Sequence, residues 1–340
     1  MIGAALAACL LPAAPAFAHS ILGVALTNYK SRLVSVTPDD TGISVKVLEG
    51  GNRLQISSPR TEAVVLGYQD EQFLRIGPAG VFQNLNSPSM YRSATRLGQG
   101  ELPPRADAKN APEWKRVRGG SVAQWYDHRI HFIEEEYPPE VLKEPGKTHV
   151  VREWTVPVVM GDQTVNVSGQ LAWVPPGAPF IWIALMVLLL VGVPFAARSL
   201  GAVQAIIYTL SAAIVLDAID ALAISLAAAK TGQFVPSLVF MIVGYGLGVT
   251  GIYRLHQGRR EGLFLTFLSG VSILVIGGLS SIFVLFRSQF PVQYPLPVAR
   301  ISAVLGVALG ASIGLLCFRA LRSSRNPNDE TLKDLKRRAA

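Results

Sequence analysis

Cysteine is nearly missing: the 340-residue chain has two, Cys9 and Cys317. Neither lies between His19 and Gly177, so that stretch cannot be a small secreted scaffold held by disulfides and must bury a core of its own. Charge is scarce as well, at 16% of residues against 50% apolar, which is poor for a soluble protein and ordinary for one that is partly membrane. Catalytic signatures are missing too. There is no G-x-S-x-G, no Walker loop and no H-E-x-x-H, which removes the enzyme classes that those motifs mark. Between Tyr29 and Val174 no segment has helical periodicity, and past the first 18 residues the long apolar runs all lie after Pro175.

The excess of positive charge has the same division. Residues 19–177 hold 17 basic and 17 acidic side chains, and the remaining 14 basic and 6 acidic residues make up the whole net charge of +8. A basic chain can signal nucleic-acid binding. Here the stretch with room for a folded domain is neutral, and the excess sits between and after the apolar runs, as positive-inside topology requires. No nucleic-acid partner is expected.

Residues 1–18 read as a signal peptide, an apolar run closed by Ala16-Phe17-Ala18, with His19 as the first mature residue. The run has no basic n-region, so a true start upstream of Met1 is one expectation. Leu6-Ala7-Ala8-Cys9 resembles a lipoprotein box, but the apolar run before Cys9 is too short and continues beyond it. Five later segments are long enough to span a bilayer: Ala178–Ala197, Leu200–Ala229, Val235–Tyr253, Gly262–Phe286 and Pro297–Phe318. With residues 19–177 outside, the cytoplasmic parts hold eleven basic residues and the outer loops three, Lys230, Arg287 and Arg300. The expected layout is therefore a signal peptide (1–18), an extracytoplasmic domain (19–177), a five-helix transmembrane domain in the lipid bilayer of the cell membrane (178–320) and a basic cytoplasmic tail (321–340). Small residues at Gly244 and Gly248, and at Gly306, Gly310 and Gly314, have the spacing that lets membrane helices approach closely.

From Tyr29 to Val174 apolar residues alternate with polar ones. Arg32–Val36, Ile43–Val47, Leu54–Ser57, Ala63–Tyr68, Gln72–Ile76, His149–Val159 and Thr164–Val174 read as strands, with a hairpin turn at Met160-Gly161-Asp162-Gln163. Many short strands predict an all-β, Ig-like sandwich ahead of the all-α bundle. Ser87–Pro112 is a long irregular loop, of a length that usually serves function.

Four of the five histidines, His19, His128, His131 and His149, precede the bundle. The densest polar cluster is Trp125-Tyr126-Asp127-His128-Arg129-Ile130-His131-Phe132. Imidazole and carboxylate are natural ligands of Cu(II), Zn or Ni, so His19, Asp127, His128 and His131 are candidate metal ligands. On a regular strand His128 and His131 would point to opposite faces, and only a bend or turn brings them together. The competing reading is a buried polar network in which Asp127 holds Arg129 or a histidine against Trp125. Once cleaved, His19 offers an amino group and a ring nitrogen, a geometry that favours copper. In the second membrane segment Asp217 and Asp220 lie three residues apart on one helical face. Intramembrane carboxylates face the bundle interior and mark ion or proton paths, or else pair with a base such as Arg287 or Arg300.

Tyr29–Pro38, Val65-Leu66-Gly67-Tyr68, Tyr126–His131 and Trp173-Val174-Pro175-Pro176 resemble an uncharacterised family of actinobacterial envelope proteins. Its members commonly read Trp-His-Asp-His-Arg-x-His-Trp where this chain has Tyr126 and Phe132, which removes one candidate ligand. A looser likeness, in architecture and N-terminal histidine, is to copper-resistance membrane proteins. Three functions are expected to compete: capture of a transition metal, copper favoured, for resistance or delivery; docking of an envelope protein partner through Ser87–Pro112; and ion or proton transport at Asp217 and Asp220.

Overall fold

The computed structural model describes residues 26–134, 136–227, 235–290 and 294–323. The chain forms two compact units: residues 26–179 join 285–296 in a β unit, and the helices make up the other. The expected signal peptide, His19 and most of the basic tail lie outside the described residues.

The β unit has ten strands: β1 (Tyr29–Thr37), β2 (Ser44–Leu48), β3 (Arg53–Ser57), β4 (Ala63–Leu66), β5 (Gln72–Gly77), β6 (Gly80–Asn84), β7 (Trp114–Arg118), β8 (Val122–Tyr126), β9 (His149–Met160) and β10 (Gln163–Trp173). A seven-stranded antiparallel sheet runs β1-β10-β9-β4-β5-β6-β7, and a second sheet runs β2-β3-β8. The alternation that marks the strands in sequence is the burial pattern of the sandwich. On β10, Val165, Val167, Leu171 and Trp173 are buried and their neighbours are not. Leu54 and Ile56 of β3 and Trp125 of β8 join them in one core with Phe73, Val156 and Val158. The hairpin expected at Met160–Gln163 is present, with Gly161 at a φ of 60° that a side chain would disfavour.

Three strands, β6 to β8, were not legible as such. β7 is WKRVR, exposed along most of its length, and β6 holds it at the sheet edge through pairs such as Gln83 with Lys115. Two five-residue helices, α1 (Pro88–Arg92) and α2 (Pro139–Lys143), interrupt the connections. Each begins with a proline, whose fixed φ suits the first helical turn.

The helical unit contains α3 (Pro179–Ala196), α4 (Ala202–Ala227), α5 (Val235–His256), α6 (Glu261–Ser272) and α7 (Leu296–Ser323). Among the described residues four helices are long and apolar enough to cross a membrane: Pro179–Ser199, Ala202–Leu226, Glu261–Phe286 and Leu296–Ala320. The fifth expected segment is helical as well, as α5, and several of its first side chains lie outside the described residues. α3 buries none of its residues, as a helix apolar on all sides does when lipid surrounds it.

Small residues set the packing. A methyl group at Gly244 or Gly248 would meet the Ser272 or Ser269 hydroxyl, and one at Gly251 would lie 2.8 Å from the Thr266 nitrogen, so α5 rests on α6 through this row. On the other side, added atoms at Gly306 and Gly310 would come within 2.8 Å of Gly278 and 2.6 Å of Leu274. Gly314 is different, with only Phe267 at 4.0 Å, so it lies outside the close seam. Beyond Ser272 the helix continues in irregular form, π-wound over Ile273–Gly278 and 3₁₀-wound over Leu279–Phe286. Such windings within a long helix mark strain or a hinge.

Candidate functional site

β8 ends at Tyr126 because the next residue folds the chain back on itself. Asp127 accepts the Arg129 amide through Oδ1 (3.1 Å), and its carbonyl accepts the Ile130 amide (3.1 Å). This is the side-chain-to-backbone turn that aspartate favours. The turn brings together what a strand would separate: the His128 and His131 rings lie 5.2 Å apart, edge to face.

Asp127 itself is fully buried. Its Oδ1 accepts the Arg129 amide and Nε (2.9 Å), and its Oδ2 accepts Arg129 Nη2 (2.7 Å) and Trp125 Nε1 (2.9 Å). A carboxylate offers about four lone-pair directions, and all are taken. These bonds are those of the competing reading, a buried polar network in which Asp127 holds Arg129 against Trp125. Burial works against its charge, but the Arg129 guanidinium and these hydrogen bonds hold the carboxyl below its usual range. Arg129 also donates to the Leu66 and Gly67 carbonyls and lies over the Tyr68 ring. It thereby ties the end of β8 to the end of β4.

The histidines reach the long loop. His131 Nε2 bonds the Arg96 carbonyl (2.9 Å) and His128 Nε2 the Thr95 carbonyl (3.3 Å). A carbonyl only accepts, so each Nε2 carries a proton, and the neutral His131 ring keeps its lone pair on Nδ1. The Nδ1 of His131 is buried without a hydrogen-bond partner. Gly98, at a φ of 67°, leaves room for the His128 ring, which a Cβ there would strike. His128 also stacks on Tyr68, whose hydroxyl accepts the His128 amide. It borders an open cleft of about 330 Å³ lined by Tyr68, Arg129, Arg152 and Trp154. His149 stands apart, bonded to the Glu144 carbonyl.

Glu71 pins the other end of the loop, and sequence reasoning missed it. Its Oε1 accepts the Ser87 hydroxyl (2.7 Å) and both the amide and hydroxyl of Ser89. These bonds outweigh burial and hold Glu71 below the usual carboxylate range. Its signal was faint: a lone acid beside a turn, sixteen residues from its partner.

Burial pushes the His131 imidazolium down to about 4, with the His128 and Arg96 charges adding to the effect and the Arg96 carbonyl opposing it. The unfolded ring titrates near 6.5. Between those values the unfolded chain binds more protons, so stability is full above about pH 6.5 and falls as pH drops toward 4. The expected loss is about 3 kcal/mol. Denaturant midpoints of the β unit in the full-length protein, followed by tryptophan fluorescence from pH 7 to pH 4, should decline steadily. His131→Gln should flatten that slope.

In the helical unit α4 presents Asp217 and Asp220, both half-buried. Tyr245 of α5 donates to Asp217 Oδ2 (2.7 Å), and Ser302 of α7 donates to Asp220 Oδ1 (2.6 Å). Gly277, in the irregular continuation of α6, lies directly against the Asp217 carboxylate, where a side chain would collide with it. Four helical segments thus meet at two carboxylates.

Among the described residues no three His, Cys, Asp or Glu side chains are grouped to hold a metal ion. No protein-family model, curated protein or solved structure matches this chain.

Proposed function

We propose that the protein is a multi-pass cell-membrane protein whose bundle binds and moves a proton or another small hard cation, with Asp217 and Asp220 as the carboxylates of the path. One observation carries this reading: the two aspartates, on one face of α4, are met by hydroxyls from two other helices. Ionisable groups inside a membrane are costly and are retained at ion and proton pathways. Carboxylate and hydroxyl oxygens suit a proton or a hard cation rather than a soft metal. The irregular winding beside Gly277 supports it further, because backbone freed from its regular ladder at membrane depth belongs where it lines a protein or water cavity. In this reading residues 19–177 lie outside after cleavage at Ala18, and the tail lies in the cytoplasm, as the distribution of basic residues favours. Cation flux into proteoliposomes, with Asp217→Asn beside the wild type, tests it.

A second reading, capture of copper by the β domain, is favoured by the buried, unpartnered Nδ1 of His131 with the His128 ring beside it. His19 at the processed N-terminus would complete the set, and Asp127 drops out of it. Calorimetric titration of the mature full-length chain with Cu(II) and Zn(II) separates the two readings. Binding weakened at least tenfold by His131→Ala and by His128→Ala supports capture, and binding indifferent to both rejects this site.

A further inference from the structure

The connection between α6 and α7 is not a free loop. Residues 285–296 belong to the β unit, although helices of the other unit flank them in sequence. The Ser288 amide donates to Asn28 Oδ1 (2.9 Å), the Ser288 hydroxyl to the Val174 carbonyl (2.6 Å) and the Gln289 amide to the Thr27 carbonyl (3.0 Å). Thr27 and Gln289 pair as an antiparallel bridge, which extends the edge at which β1 begins. Asn28 is 5% exposed and is held from a second side, its carbonyl accepting the Val174 amide at 2.8 Å. Three strands of chain are thereby knotted: the entry to β1, the exit from β10 five residues before α3, and the α6–α7 connection.

The helix that feeds this knot is the irregular one. Its 3₁₀ part, Leu279–Phe286, ends two residues before Ser288. Eight 3₁₀ residues are many for a winding that rarely exceeds three or four. Rewinding them as α-helix would shorten the segment by about 4 Å. We propose that Ser288 and Gln289 form a latch through which the β domain restrains the winding of residues 273–286. The knot holds one end of that segment, and α6 holds the other. A change of winding must then either pull on Thr27, Asn28 and Val174 or break their hydrogen bonds. The inference stands on these bonds and this winding, independently of what the bundle carries.

Hydrogen exchange on the full-length protein in lipid nanodiscs tests it with two variants. Asn28→Ala with Ser288→Ala opens the latch, and amides of residues 279–290 should exchange at least tenfold faster while those of β9 and β10 keep their protection. Thr27→Cys with Gln289→Cys closes it covalently, since directly opposed residues of an antiparallel pair have the separation a disulfide needs. Cys317 is buried in α7, so it does not compete. Oxidised, this variant should slow exchange over 279–290 at least tenfold, and reduction should reverse the change. Unaltered exchange over 279–286 in both variants overturns the proposal, as does loss of protection throughout the β unit in the open variant with no slowing in the closed one.

Discussion

Arg129→Ala is expected to destabilise the β domain by about 3–5 kcal/mol, the usual consequence of removing one partner of a buried ion pair. The cause is what remains rather than what is lost. Asp127 is wholly buried, and without the guanidinium it keeps only the Trp125 indole and one backbone amide as donors. The same substitution releases the Leu66 and Gly67 carbonyls and the face of Tyr68. Replacing both charges at once, as Asp127→Leu with Arg129→Met, should cost far less, because no uncompensated charge stays behind. Thermal unfolding of the full-length protein, followed by the near-UV signal of the buried Trp125, Trp154 and Trp173, measures both. A single variant no less stable than the double one would show that the pair does not hold the turn.

This pair also explains how far the sequence could be read. Alternation with a period of two gave β1 to β5, β9 and β10, because each buries one face in a common core. It failed for β7, an edge strand with little to bury, and for β8, whose last residues run into the Trp125–Phe132 cluster. In that cluster the sequence singled out residues that the fold brings together, but not the turn that does so. A strand would have parted His128 from His131, and only the turn made by the Asp127 side chain brings them together. The carboxylate that looked like a ligand is the device that makes the turn. Glu71, Ser87 and Ser89 were illegible because their meeting depends on how the long loop folds back.

The membrane half was legible in a different way. Hydropathy marks helices residue by residue, so all five segments are helical close to where they were expected, and among the described residues four are long and apolar enough to span a membrane. What surrounds a polar residue inside them is tertiary. Tyr245 reaches Asp217 across 28 positions and Ser302 reaches Asp220 across 82, separations that no local pattern encodes. The break in the helix after Ser272 is equally silent in sequence, although the Gly277-Gly278 pair lies where two neighbours come closest.

The central claim, a carboxylate pathway through the bundle, is tested most directly by flux. The purified protein is reconstituted in liposomes that hold a dye sensitive to H⁺, Na⁺ or K⁺, and an inward gradient of the matching ion is imposed in turn. At least one gradient should drive a flux well above that of protein-free liposomes. Asp217→Asn should lower it at least tenfold, because the neutral amide keeps the Tyr245 contact but loses the charge that a cation requires. Asp220→Asn should lower it as well, while Arg129→Met with Asp127→Leu, in the other compact unit, should leave it unchanged. The account is contradicted if the wild type conducts none of these ions, or if flux survives in a properly folded Asp217→Asn, Asp220→Asn double variant.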